Sequence, residues 1–323
     1  DNLILRTDPL GNKTSYEYDA YNQLISTTAP NGGVTQFAWD PAGHLTQVTD
    51  ALGGTASFTY DAGGRLLAKT DPRGNTSQYT FDDLDRVLIS TDPAGALTQY
   101  TYDAAGNLGA VQDALGNDWS YEYDVLGRMT SATDPTDATV RYEYDATGNL
   151  QAAADANGGV TRYAYDFAGR LTRMADPLGK VWSFDYDALG RPVRSLDPLG
   201  RQAEVAYDAL GRLALRRDGL GNETHYAYDQ AGNVTSVTNT RGSVTRFTYD
   251  ADSRLTEVED ALGGKTTYAY DASGDVVAIT DANGHTTSRS HDLLGRVVEA
   301  VDPLGHREQY AYDLSGNLTQ RVD

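Results

Sequence analysis

An aspartate recurs every 21 residues from Asp19 through Asp124 to Asp313, in 15 copies with no insertion or deletion. The residue before it is aromatic in every copy but one, where His291 stands. A period this strict dominates any other reading of the chain. Each unit of such an array is one supersecondary element that buries its face against its neighbours. Three heptads also make 21 residues, but two Gly-centred turns in most units, with frequent Pro, would break a coiled-coil helix several times over. A parallel β-helix is a minor structural alternative, because its coils do not need two hairpin-type turns.

The stretch from Asp103 to Asp124 shows one unit. Asp103-Ala104-Ala105-Gly106 reads as a turn, Leu108–Gln112 as a short, partly apolar strand, and Asp113-Ala114-Leu115-Gly116 as a second turn. Trp119-Ser120-Tyr121-Glu122-Tyr123 then alternates with period 2, the mark of a strand with one buried face. Several turns at the Asp113 place have the form Asp71-Pro72-Arg73-Gly74. There Pro presets φ, Asp accepts backbone N–H groups, and Gly supplies a positive φ. Turns at the Asp103 place read Asp124-Val125-Leu126-Gly127 or Asp292-Leu293-Leu294-Gly295. Type I turns closed by a Gly bulge join antiparallel strands, so both connections are expected to be hairpins.

Paired aromatics such as Tyr16/Tyr18, Phe37/Trp39, Tyr100/Tyr102 and Tyr268/Tyr270 lie two apart and share a face, which predicts two rows along the array. The excess of Tyr over Phe suggests that the hydroxyl reaches a partner or water. With modest Ile, Leu and Val, the expected core is thin and aromatic-rich. Thirty strands in one flat sheet would be about 140 Å wide. Open sheets of that size curl or split as twist accumulates. The fold class expected is therefore all-β: a long spiralling antiparallel β-ribbon, a solenoid or shell wall, running as one continuous array over residues 1–323. Both ends fall inside the pattern, which reads as a piece of a longer polypeptide.

A formal net charge of -20 argues against nucleic acid as a partner and against docking on an anionic membrane. There is no cysteine, so neither disulfide nor thiolate chemistry is available. No run of 18 apolar residues predicts a membrane-spanning helix.

The signature in Tyr123-Asp124-Val125-Leu126-Gly127-Arg128-Met129, Tyr207-Asp208-Ala209-Leu210-Gly211-Arg212-Leu213 and Tyr312-Asp313-Leu314-Ser315-Gly316-Asn317-Leu318 resembles the YD repeats of the bacterial RHS family. The same repeats occur in the C subunits of insecticidal toxin complexes and in teneurins. The resemblance covers essentially the whole chain. It implies a β-ribbon spiralling into a hollow shell that, in many members, encloses a C-terminal toxin domain. It also implies a secreted or cell-surface location, with neighbouring repeats or chains and an enclosed toxin domain as partners. A secreted fibre or adhesin subunit built from the same ribbon is the chief alternative. The family's autoproteolytic motif, Asp-Pro-x-Gly-Leu, is not matched: His306 follows Asp302-Pro303-Leu304-Gly305, and Arg201 follows Asp197-Pro198-Leu199-Gly200.

No catalytic, cofactor-binding or metal residue is singled out by this reading, and no enzymatic activity or cofactor is expected. Paired carboxylates are the glycosidase signature, yet nearly every Asp occupies the first position of a turn, where it caps backbone. His285 and His306 share a slot one unit apart and could meet at a metal, although drift at a surface slot explains them as well. Rows of turn Asp could attract Ca²⁺ weakly, and exposed Tyr rows could stack on sugars. Asn12, Asn75, Asn222, Asn233 and Asn317 begin glycosylation sequons. Arg289 and His291 replace the aromatic pair of one unit, which is expected to be a weak spot or a contact point. Asp137 replaces a turn Gly, and Pro192 stands at a strand start.

Overall fold

A computed structural model describes residues 2–323. Every unit contributes two strands, giving thirty-one in all among the described residues, from β1 (Leu5–Thr7) to β31 (Leu318–Val322). Each strand pairs antiparallel with the next in sequence, and strands touch no others, so the whole chain is one meandering ribbon. The period-2 stretch Asp118–Tyr123 forms β12, and Met129–Thr133 forms β13. Pro192 opens a strand, where its missing N–H is tolerated.

Both turn families share one geometry. Gly127 N–H donates to Asp124 C=O at 3.0 Å, and Asp124 N–H donates to Arg128 C=O at 2.9 Å. The pattern is a tight turn followed by a residue with positive φ, as at Gly127 (φ 75°). Four turns place Asn22, Asp85, Asp137 and Ser253 in that conformation, with φ of 62–64°. Asp137 thus holds the strained place that the sequence assigns to it.

A bulge follows every Tyr-Asp strand. Glu122 faces Ser131 and Tyr123 faces Met129, which leaves Thr130 unpaired. At four such positions a Thr hydroxyl donates across the bulge, as Thr46 does to Ala38 C=O at 3.1 Å. Repeated once per unit, the bulge adds twist and bend on one side of each second hairpin, and so helps to curl the ribbon.

The expected aromatic core is corrected by the burial pattern. The aromatic rows share one face, but they are half-buried, and Ala152 is the one buried hydrophobic side chain among the described residues. A single sheet has no second layer to cover either face. The accessible surface is 19930 Å², against about 13,000 Å² for a compact protein of this mass. The substituted strand β28 (Thr286–His291) keeps the same pairing register as its equivalents, because backbone pairing does not depend on the aromatic pair.

The ribbon also returns to itself. Asn31 Nδ2 donates to Leu293 C=O across 262 positions, and Ser315 Oγ donates to Asp71 Oδ2 across 244. These separations bracket about twelve units per superhelical turn. Twenty-four strands at the usual spacing give a path about 115 Å around and about 37 Å across. The curl expected of so wide a sheet is therefore a wound, hollow wall.

Candidate functional site

The repeated site is a staple built on the turn aspartate. One carboxylate oxygen of Asp124 accepts the N–H groups of Leu126 and Arg128 at 2.9 and 3.0 Å. The other accepts Arg128 Nε at 2.7 Å. The same guanidinium lies 4.7 Å from the centre of the Tyr144 ring, and Arg128 Nη1 reaches Asp145 C=O at 3.4 Å. Tyr144 in turn donates its hydroxyl to Met129 C=O at 2.9 Å. Each such arginine thus ties its own turn to the next unit. The arrangement recurs at Arg86/Tyr102, Arg191/Tyr207 and Arg296/Tyr312. His44 plays the same part, bonded to Asp40 and stacked on Tyr60 at 4.9 Å. The Tyr preference is explained here: a Phe keeps the stacking and loses the hydroxyl bond.

Hydrogen bonding holds several of the turn carboxyls low. The Arg128 side chain lowers Asp124, and the Asn107 side chain lowers Asp103. The Thr147 hydroxyl is the largest influence on Asp145, which is lowered to about 2. The five sequon asparagines sit in this capping slot. Asn12, Asn75, Asn222, Asn233 and Asn317 each donate Nδ2 to the Asp four residues earlier. A glycan there would compete with the cap.

The second feature is the seam where successive turns of the ribbon meet. Arg73 Nη1 lies 3.3 Å from Asp313 Oδ2. Asp8 and Asp252 also face each other across the seam, where burial and then the charge of Asp8 push the Asp252 carboxyl up. A Cβ on Gly33 would stand 3.0 Å from Leu293 O, and one on Gly54 would stand 3.2 Å from Leu314 O. The opposing loop thus packs close to the backbone at both places, beside the turn's own Asp50 Oδ2, which a Cβ on Gly54 would approach to 2.5 Å. Leu293 and Leu294 are 41% and 39% exposed at the seam, whereas Leu126 and Leu189, on an uncovered edge, are 74% and 79% exposed. Leu293 and Leu294 are thus partly covered where the ribbon turns meet.

Other sequence candidates stay apart. The turn aspartates are spread along the two edges, and neighbouring pairs such as Asp145 with Asp166 and Asp197 with Asp218 line grooves between adjacent turns. His285 and His306 each turn Nδ1 to their own turn carboxylates, Asp281 at 3.2 Å and Asp302 at 2.8 Å. A groove of about 620 Å³ on the aromatic face is lined by Tyr79, Tyr100 and Tyr102, with Ser90 and Asp92 as polar groups. The staple and the seam were missed in the sequence. An Arg or Asn at a fixed distance from a Tyr was the available signal for the staple, and nothing local signals the seam.

The comparisons agree with this architecture. An RHS-repeat profile matches residues 1–34, 19–55, 39–76, 60–97, 228–265, 249–287, 270–307 and 291–323, and a teneurin YD-shell profile matches 89–240. No match to a curated protein sequence is found. A crystal structure of TcdB2-TccC3 without its hypervariable C-terminal region is similar over 96% of this chain and 20% of that one, with 15% identity and a TM-score of 0.80. A TcdB2-TccC3-Cdc42 structure is similar over 96% and 19%, with 16% identity and a TM-score of 0.65. A Tc holotoxin pore from Photorhabdus luminescens is similar over 96% and 21%, with 15% identity and a TM-score of 0.55. The chain thus spans about a fifth of the length of these structures. With repeats, wound ribbon and profile matches in agreement, the chain belongs to the RHS-repeat family.

Proposed function

We propose that this chain is a wall segment of an RHS-type hollow shell, a structural scaffold without catalysis that encloses or carries a toxin domain. The observation that carries this reading is the seam. A ribbon whose two edges fit each other, as Arg73 fits Asp313 and Gly33 fits Leu293, extends into a closed wall as units are added. The likeness to toxin-complex shells supports a structural scaffold of this kind. The turn aspartates support the absence of catalysis, since each is engaged in holding backbone. The partners of this reading are adjoining repeats or chains and the enclosed domain. Its location is outside the cell or at the cell surface, and residues 1–323 act as one continuous array. Strands stop at β1 and β31, whose residues are exposed, and further pairing would join there.

The alternative is an extracellular fibre or adhesin made from the same ribbon. The uniform 21-residue spacing favours it, because identical units propagate an unclosed tube. Electron microscopy of the native full-length polypeptide separates the two. Closed hollow particles support the shell. Long tubes of constant diameter would replace it with the fibre.

A further inference from the structure

One unit departs from its neighbours at two linked positions. On one side of it, Arg254 pairs with Asp250 at 2.7 Å and lies 4.7 Å over Tyr270. On the other, Arg296 pairs with Asp292 at 2.7 Å and lies 4.7 Å over Tyr312. In between, the same three positions are held by Asp271, Asp275 and His291. The guanidinium has become a carboxylate, and the phenol that it covered has become an imidazole. Neither change alone would keep the staple. Together they place two carboxylates and an imidazole where a fixed cation stands in the flanking units.

Two further observations bear on this unit. One ligand atom from each of Asp271, Asp275 and His291 lies within 4.8 Å of the other two, the single such trio among the described residues. His291 Nδ1 is buried and has no hydrogen-bond partner. In the neighbouring units the equivalent side chain is satisfied, as when Tyr270 donates to Leu255 C=O. A buried polar nitrogen without a partner is costly unless something else binds it. Asp271 has likewise lost its arginine, and the residue in that place, Asp275, sets a second negative charge beside it.

We propose that Asp271, Asp275 and His291 bind a first-row divalent transition metal of the Zn²⁺ class. An imidazole nitrogen beside two carboxylates suits such an ion better than Ca²⁺ or Mg²⁺, which take all-oxygen sets. Three protein ligands and a water complete a four-coordinate sphere. Ligand bonds of about 2.0–2.2 Å place the ligand atoms about 3.3 Å apart, so the trio closes slightly on binding. Asp271 is held by its turn, where its Oδ1 accepts the Asp275 N–H at 3.0 Å. The Asp275 carboxylate projects towards Gly295 as the arginines do in their units, and a Cβ there would come within 3.1 Å of it. The ion carries out the work of the missing guanidinium: it ties the turn at Asp271 to the strand that ends at His291.

The test uses the intact chain, freed of metal by chelation and titrated with Zn²⁺ alone by calorimetry and thermal unfolding. One saturable site per chain is expected, with the unfolding midpoint raised by a few degrees. The double variant Asp275→Arg with His291→Tyr rebuilds the flanking staple, so it should fold and lose at least tenfold in Zn²⁺ affinity. The proposal is overturned if the unaltered chain shows no saturable uptake, or if Ca²⁺ displaces Zn²⁺ at equal concentration. It is overturned equally if the rebuilt variant binds as well as the original, because the ion would then sit elsewhere, as at His44, His225, His285 or His306.

Discussion

Ser315 donates its hydroxyl to Asp71 at 3.4 Å across 244 positions of sequence. The same Asp71 accepts Asn75 Nδ2 at 2.8 Å within its own turn. One carboxylate thus shapes a hairpin and also meets the ribbon one superhelical turn later. In the same seam Arg73 meets Asp313. An exposed ion pair of this kind contributes at most about 1 kcal/mol, so the fit of the loops must carry most of the seam.

That division predicts which substitution opens the ribbon. Gly33→Val places side-chain atoms against Leu293 O and the Ala51 Cβ, which a bare Cβ would already approach to 3.0 and 3.1 Å. The expected cost is about 1–3 kcal/mol, as for other overpacked sites. Small-angle scattering should show the particle lengthen as the seam parts. Arg73→Ala should leave the scattering curve almost unchanged.

The staple predicts a measurable coupling between Arg128 and Tyr144. Arg128→Asn keeps a cap of the kind seen at Asn107 and loses the stacking. A double-mutant cycle with Tyr144→Leu, read by urea unfolding, should give a coupling of about 0.5–1 kcal/mol. Additive effects would mean that the guanidinium acts on its own turn alone.

Backbone strain predicts a stabilising change. Asp137 holds φ at 63°, where Gly serves at the equivalent turns. Asp137→Gly should raise stability by about 0.5–1 kcal/mol, because a side chain in that conformation is disfavoured. An unchanged or lowered unfolding midpoint would show that Asp137 makes a compensating contact.

The array should be acid-labile. Asp103, Asp124 and Asp145 are lowered in the folded chain, Asp145 to about 2, against about 3.9 for a free aspartate. A carboxyl lowered by folding adds stability above its unfolded pKa and loses it as pH falls towards its folded value. The unfolding midpoint should therefore be flat from neutral pH to about pH 5 and fall steeply between about pH 4 and pH 2. A midpoint insensitive to acid would contradict the capping role of the turn aspartates.

The hairpin geometry was legible because Asp and Gly at fixed places define a turn whatever surrounds it. The strand between them was legible because Trp119, Tyr121 and Tyr123 alternate. The bulge at Thr130 was not: its slot is also filled by Gly109 and Gln151, so side-chain chemistry does not mark it. The core was overestimated, because period-2 aromatics mark a shared face without showing whether a second layer covers it. Here arginine planes and adjoining rings do the covering. The seam lies between residues some twelve units apart, and its position depends on curvature summed over all the bulges between them. His291 stood out as an exception, but its meaning rests on Asp275, sixteen places earlier, which only the fold brings beneath it.

The winding itself is the central claim, and the absence of native cysteine makes it directly testable. Asp71→Cys and Ser315→Cys place two thiols across the seam in an otherwise thiol-free chain. A short bifunctional maleimide applied to dilute protein should link them within one molecule, giving a compact species that migrates differently on a denaturing gel. Cross-links formed only between molecules, or none while each thiol remains reactive, would contradict the wound ribbon.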